Sequence, residues 1–183
     1  MKFTGERVVI DDMKSRPDVL QEHIARYNFA LLYVANKKVL DAACGTGYGV
    51  DLMSKIAREV DGCDVDIETV SFAKDKYPNF FFADDLNNPQ WAMDYDVITS
   101  FETIEHLEYP ETFLEWASEH CDTFIFSIPV NMPSEFHKHS WTISQIKEMI
   151  LKYFPKVEFF SQIRLNFYLL NDDATYVVGI AEN

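Results

Sequence analysis

The sequence predicts an α/β protein: a mostly parallel, seven-stranded sheet with helices on both faces and a C-terminal antiparallel hairpin. Three observations lead there. Short β-rich runs alternate with stretches of helical spacing, and that alternation calls for right-handed crossovers and parallel strands covered on both sides. The first strand runs straight into a glycine turn, VLDAACGTGYG at 39–49. The last two β-rich runs have no helical pattern between them, so they should pair as an antiparallel hairpin at one edge.

Taken in order, residues 18–35 space Val19, Ile24, Tyr27 and Leu31 as on one helix, after Pro17, which suits a first turn. This helix lies outside the strand–helix repeat, where it can cap the ligand crevice; the whole of 1–183 reads as one domain, with 1–35 the cap. KKVLDA is a strand and YGVDLMSKIARE a helix; EVDGCD is a strand and IETVSFAKDKY a helix. NFFFA is a short strand, followed by the polar stretch LNNPQWAMD. YDVITSF, YPETFLEWASEH, CDTFIFSIP and TISQIKEMILKYF continue as strand, helix, strand, helix. KVEFFSQI and ATYVVGIA close the chain, joined by a stretch containing Asn171-Asp172-Asp173.

Composition narrows the chemistry. Sixteen Lys plus Arg stand against 30 Asp plus Glu, a net charge of −14, which repels phosphate backbones and disfavours nucleic acid as a partner. No run approaches the roughly 20 apolar residues of a membrane span, and the opening MKFTGERVVIDDMKSRPD has no apolar signal core. Cys44, Cys63 and Cys121 are odd in number and scattered, which suits buried thiols in a reducing compartment. The expectation is a cytoplasmic protein; the oligomeric state is not legible. Phosphate-cradling lysines and G-x-S-x-G elbows are missing, which removes kinase and hydrolase readings.

The glycine turn carries the main functional signal. The first strand-to-helix turn of an open α/β sheet sits at the ligand crevice. A nicotinamide-binding turn is G-x-G-x-x-G, whereas Gly45, Gly47 and Gly49 are spaced G-x-G-x-G behind Asp41. A carboxylate there opposes a pyrophosphate and favours a ligand with positive charge. S-adenosylmethionine fits: it carries an ammonium and a sulfonium and no phosphate. Asp64, at the tip of the second strand, falls where a ribose hydroxyl pair is read. Asp66 reads as a helix cap. Asp84 and Asp85 end the third strand near an adenine amino group, with Asp84 favoured as the contact.

On these residues the chain resembles the class I S-adenosylmethionine-dependent methyltransferases. VLDAACGTGYG, the acid of GCD, the acid of ADDL and SFETIEHLEYPETFLEWA after the fourth strand carry the resemblance. It implies the Rossmann-like methyltransferase fold, with Asp41 and Gly45 near the amino acid moiety, Asp64 on the ribose, and Asp84, Asp85 and Leu86 around adenine. Ala43, Gly47, Tyr48, Val65 and Phe101 flank these positions as further cofactor-binding candidates. On the first helix, Arg26 and Tyr27 can fold over cofactor or acceptor, or pack as an ordinary amphipathic pair. FTGER and EHIARYNFA resemble a subgroup associated with sugar or polysaccharide modification.

A second constellation follows the fourth strand. If FETIEH begins a helical turn, Glu102, Glu105 and His106 share one face at i, i+3 and i+4. With His137 they form a candidate set for Mg²⁺ or Mn²⁺; His106, His137 and Glu102 are the candidate catalytic groups. The E-x-x-E-H spacing resembles the quinone-ring O-methyltransferases of ubiquinone biosynthesis and the small-RNA 3′-end 2′-O-methyltransferases. That likeness implies a metal touching the acceptor hydroxyl, and position matching favours His137 over His139. Three readings stay open: a metal site, a metal-free histidine base, and solvated acids beside a backbone-bonded histidine. Glu102 alternatively contacts the methionine part of the cofactor. The expected activity is methyl transfer to a hydroxyl of a small molecule or glycan; the alternatives are a non-catalytic nucleoside-binding module and an RNA 3′-end methyltransferase.

Overall fold

The computed structural model describes residues 16–183. The FTGER stretch and the part of the cap before residue 16 lie outside the described residues. The elements are α1 (Pro17–Val34), β1 (Lys38–Ala42), α2 (Tyr48–Met53), β2 (Glu59–Asp64), α3 (Ile67–Lys76), β3 (Phe80–Ala83) and β4 (Tyr95–Phe101). A 3₁₀ turn (Ile104–His106) follows, then α4 (Pro110–His120), β5 (Cys121–Pro129), α5 (Ile143–Ile150), β6 (Lys156–Ile163), β7 (Asn166–Leu169) and β8 (Tyr176–Glu182).

One sheet runs in the order β3-β2-β1-β4-β5-β8-β6-β7. β1 to β5 are parallel, and β8, β6 and β7 join antiparallel. The order reverses between β1 and β4, so the ligand crevice of such a sheet opens above the carboxyl ends of those two strands. Apolar side chains alternate across the sheet. Val39, Val97 and Ile125 pack with α1, α2 and α3 on one face. Leu40, Ile98 and Phe124 pack with α4 and α5 on the other.

The sheet has eight strands among the described residues, not the expected seven. The extra strand is NFYL, inside the stretch read as a connection. It turns back on β6 through the two residues Arg164-Leu165, and Ile163 pairs with Asn166. Two-residue hairpin loops need positive φ, which Asn-Gly or Gly-x normally supplies. Here Arg164 adopts φ 54°, so no turn residue announced the hairpin. A second correction concerns the edge. β6 and β8 do pair antiparallel, but β8 inserts between β5 and β6, and β7 forms the edge.

Local signals explain the helix ends. Pro17 opens α1, Asp66 caps α3 by accepting from Glu68 N, and Thr142 and Gln145 form a capping box at α5. α1 then docks against α2. The ring of Tyr27 lies so close to Gly49 that a Cβ there would sit 2.1 Å from its Cε1 and Cζ. Edge-on contacts with Tyr48 and Phe101, at centroid distances of 5.4 and 5.1 Å, hold the ring in place.

Gly→Ala in a helix normally stabilises by up to about 1 kcal/mol. Gly49→Ala is expected to do the opposite, losing about 2 kcal/mol from overpacking against Tyr27. The urea midpoint measures it, and the added change Tyr27→Ala should abolish most of the penalty specific to Gly49→Ala.

Candidate functional site

A cavity of about 600 Å³ opens where the topology places it, within the roughly 300–1,000 Å³ of small-molecule sites. Its floor is the strand tips: Ala43 to Gly45 after β1, Asp64 and Val65 at β2, Asp85 to Asn87 after β3, and Phe101 to Thr103 at β4. Helix α1 contributes Val19, His23 and Tyr27, and Tyr48 stands beside them. The lining is completed by Glu105, His106 and Leu107 with Met132, Ser134 and His137 from the loop after β5.

The turns at these tips hold non-glycine residues in the left-handed region. Ala43, Glu102 and Asn131 have φ of 62°, 53° and 48°, following β1, β4 and β5 respectively. Such conformations persist where surrounding structure over-determines them, and they cluster at functional sites. The glycines divide their labour. Gly45, at φ +54°, has no atom within 4 Å of where a Cβ would be and faces the cavity. A Cβ on Gly47 would meet Phe81 at 2.9 Å and Ala73 at 3.0 Å, so that glycine serves packing in the core.

Of the expected cofactor contacts, Ala43, Gly45, Tyr48, Asp64, Val65, Asp85, Leu86 and Phe101 line the cavity; Asp41, Gly47, Asp84 and Arg26 do not. Each exception has a partner elsewhere. Asp41 is buried and accepts from Tyr27 Oη at 3.0 Å and Thr99 Oγ1 at 2.8 Å. Burial is the main force on its carboxyl and, helped by nearby Asp64, pushes the pKa up to about 7 against the pull of those two hydrogen bonds. Asp84 closes its own loop by accepting from the amides of Asp85, Gln90 and Trp91. Arg26 is fully buried; its Nε donates to Gln162 Oε1 at 2.7 Å and its guanidinium lies over Tyr176, 4.2 Å from the ring centroid. Asp64, by contrast, sits at the cavity while accepting from Gly45 N and Asp66 N at 3.0 Å each, which ties the tips of β1 and β2 together.

The second constellation forms in part. One donor atom each from Glu105, His106 and His137 lies within 4.8 Å of the others. Glu102 does not join them. The segment is no helical turn from residue 102: Glu102 is left-handed, and the 3₁₀ turn starts at Ile104. The Glu102 carboxylate instead accepts from Ser127 Oγ at 2.8 Å and lies 3.9 Å from the Arg26 guanidinium, at the cavity's α1 side. His139 donates Nε2–H to Leu107 O and stacks on Trp141, so it is structural.

His23, Asn87 and Met132 also line the cavity; His23 lies within EHIARYNFA but was not singled out, and the sequence carried no motif for the other two. His23 is half-buried with Nδ1 3.3 Å from Tyr48 Oη. Burial, and then the Arg26 charge, lower its pKa to about 3, so it is neutral at physiological pH. Among the described residues no helix is long and apolar enough to cross a membrane, and the three cysteines are buried and unbridged.

Known proteins agree with this fold. Residues 15–162 match the family described as Methyltransferase domain. A Mycolicibacterium smegmatis protein named a probable S-adenosylmethionine-dependent methyltransferase is 33% identical over 113 residues, 58% of this chain and 42% of its own length. The ubiquinone biosynthesis O-methyltransferase of Proteus mirabilis is 31% identical over 85 residues, 43% of this chain and 35% of its own. This chain therefore spans less than half the length of these relatives. A crystal structure of an S-adenosylmethionine-dependent methyltransferase from Clostridium acetobutylicum superposes with a TM-score of 0.74 at 14% identity, covering 94% of this chain and 96% of that one.

Asp41 yields a pH prediction. Its folded pKa, about 7, exceeds the unfolded value of about 3.9, so the folded state keeps the proton longer. Its contribution to stability is full below the unfolded value and is lost as pH rises through about 7. The urea midpoint of wild type minus that of Asp41→Asn should fall between pH 5 and about 7 and level off above. A difference independent of pH would contradict this account of Asp41.

Proposed function

The chain belongs to the class I S-adenosylmethionine-dependent methyltransferases, and from that premise we propose that it methylates a hydroxyl of a small molecule or glycan. The observation that carries the acceptor assignment is the Glu105–His106–His137 cluster, which lines the same cavity as the glycine turn.

The residues fit the cofactor. Gly45 leaves its backbone bare, Asp64 offers carboxylate oxygens to a ribose diol, and Asp85 with Leu86 lies where the adenine follows. Near α1, Glu102 suits an ammonium, with the Arg26 guanidinium 3.9 Å behind it. When bound, S-adenosylmethionine supplies a methyl group activated by its sulfonium. The chain's own work is then alignment, exclusion of water by α1 and the loop after β5, and removal of the acceptor's proton. His137 donates Nδ1–H to Met132 O at 2.7 Å, so a neutral ring has its lone pair on Nε2, ready to take that proton.

The same donor set favours a second route. One carboxylate and two imidazoles, which Glu105, His106 and His137 would supply, suit a divalent transition ion such as Mn²⁺ better than the expected alternative Mg²⁺, because Mg²⁺ prefers an all-oxygen set. There the ion would lower the pKa of an acceptor hydroxyl. The name of the Proteus mirabilis relative, an O-methyltransferase, supports oxygen as the acceptor atom. The charge of −14 favours an acceptor without a phosphate chain.

Calorimetric titration with S-adenosylmethionine should show binding that NAD does not compete away, and failure to bind would remove the cofactor assignment. Asp64→Ala should weaken that affinity roughly ten- to hundredfold, the worth of lost charge-assisted hydrogen bonds. His137→Ala should leave cofactor affinity intact and reduce methyl transfer to hydroxyl acceptors by roughly 10²-fold or more. A further rise in affinity with Mn²⁺ would choose the metal route.

A further inference from the structure

His106 and His137 come from different elements, yet one short stretch of the loop after β5, residues 132–137, holds both rings. Met132 O is 2.7 Å from His137 Nδ1, and Phe136 O is 3.0 Å from His106 Nδ1. A carbonyl oxygen only accepts, so each imidazole must carry a proton on Nδ1. In water the other tautomer, with the proton on Nε2, predominates. The loop therefore selects the minor form twice, and in each neutral ring the lone pair falls on Nε2, which in His106 lies 3.8 Å from Glu105 Oε1. The rings meet edge-on with centroids 4.9 Å apart.

Two carbonyls can do this only if the loop holds them in position. Its two ends are tied down: Asn131 N donates to Trp141 O at 2.9 Å, and Lys138 N and His139 N donate to Glu105 O at 2.9 and 3.2 Å. Between those ties the stretch is irregular, and most of its residues are exposed. The one side chain that closes it is Ser134, whose Oγ accepts from Phe136 N at 3.2 Å and His137 N at 3.1 Å. Those two amides flank the Phe136 carbonyl and fix the backbone of His137 itself.

We propose that Ser134 is a positioning residue of this site: it closes the 132–137 loop and thereby holds His106 and His137 as Nδ1–H tautomers, with Nε2 of His137 turned to the acceptor and Nε2 of His106 3.8 Å from Glu105 Oε1. This rests on reading the cluster as the acceptor end of the cavity. Ser134 takes no proton and acts only through the two rings. The arrangement can serve an acceptor hydroxyl, which needs the His137 Nε2 lone pair, or a divalent ion, which needs both.

The test is long-range ¹H–¹⁵N correlation of the histidine rings in full-length, ¹⁵N-labelled protein above pH 8, free of metal. His106→Gln and His137→Gln assign the signals. Wild type should show protonated-type Nδ1 and bare-type Nε2 signals for both rings. Ser134→Ala should move the His137 pair, and then the His106 pair, toward tautomer-averaged positions, while Ser134→Thr keeps the wild-type pattern. Urea midpoints of the three proteins confirm that the fold is kept. A wild-type ring with its proton on Nε2, or a Ser134→Ala spectrum matching wild type, would overturn the proposal. Calorimetry with S-adenosylmethionine on the same samples separates the two readings. Wild type that shows the Nδ1–H pattern but binds no S-adenosylmethionine would sink the cofactor assignment and leave the tautomer result standing.

Discussion

Tyr27 lying on Gly49 with its hydroxyl on Asp41 is the joint on which the remaining architecture depends. It joins the cap helix to the glycine turn and, through Asp41 and Thr99, to the neighbouring strands β1 and β4. These are the two strands between which the sheet order reverses, so the joint sits directly behind the crevice. A second tie, Arg26 to Gln162 with Gln162 Nε2 donating to Glu22 O, fastens the same helix to β6. With both ties in place, α1 acts as a fixed wall of the cavity.

The cost of this construction is a carboxyl buried away from water. Burying an ionised group is expensive unless it is paired and hydrogen-bonded, and Asp41 meets that condition with two hydroxyl donors and a raised pKa. The cavity-facing acids are held differently. Asp64 lies at the rim and stitches β1 to β2 through backbone amides, and Glu102 is oriented by Ser127. Acids at the strand tips and the Glu105–His106–His137 cluster thus line one cavity.

The fold was legible because its signals are local. Apolar alternation, Pro17 and Asp66 each act within a few residues, and each appears where its spacing implies. β7 was not legible because Arg164, not glycine or asparagine, takes the left-handed position of its turn. The candidate site was legible at Gly45, Asp64, Asp85 and His137, where a motif sits on a strand tip or in the loop beyond one. Asp41, Gly47 and Arg26 face distant partners instead of the cavity; Asp84 turns into its own loop, and Glu102 lines the cavity but stands apart from the histidine cluster. Asp84 and Glu102 both lie one residue past a strand, where the backbone turn decides which way a carboxylate points.

By itself the sequence determined the alternation of elements, the glycine turn at the head of the first crossover and the family, since these rest on periodicity and spacing along the chain. Only the tertiary structure decided what each carboxylate and glycine faces. Gly49 is bare for a tyrosine 22 positions earlier, Asp41 answers to Thr99 58 positions later, and the two histidines owe their tautomers to one loop. The physical reason is that hydrogen bonds and packing are short-range in space, whereas their partners here are distant in sequence.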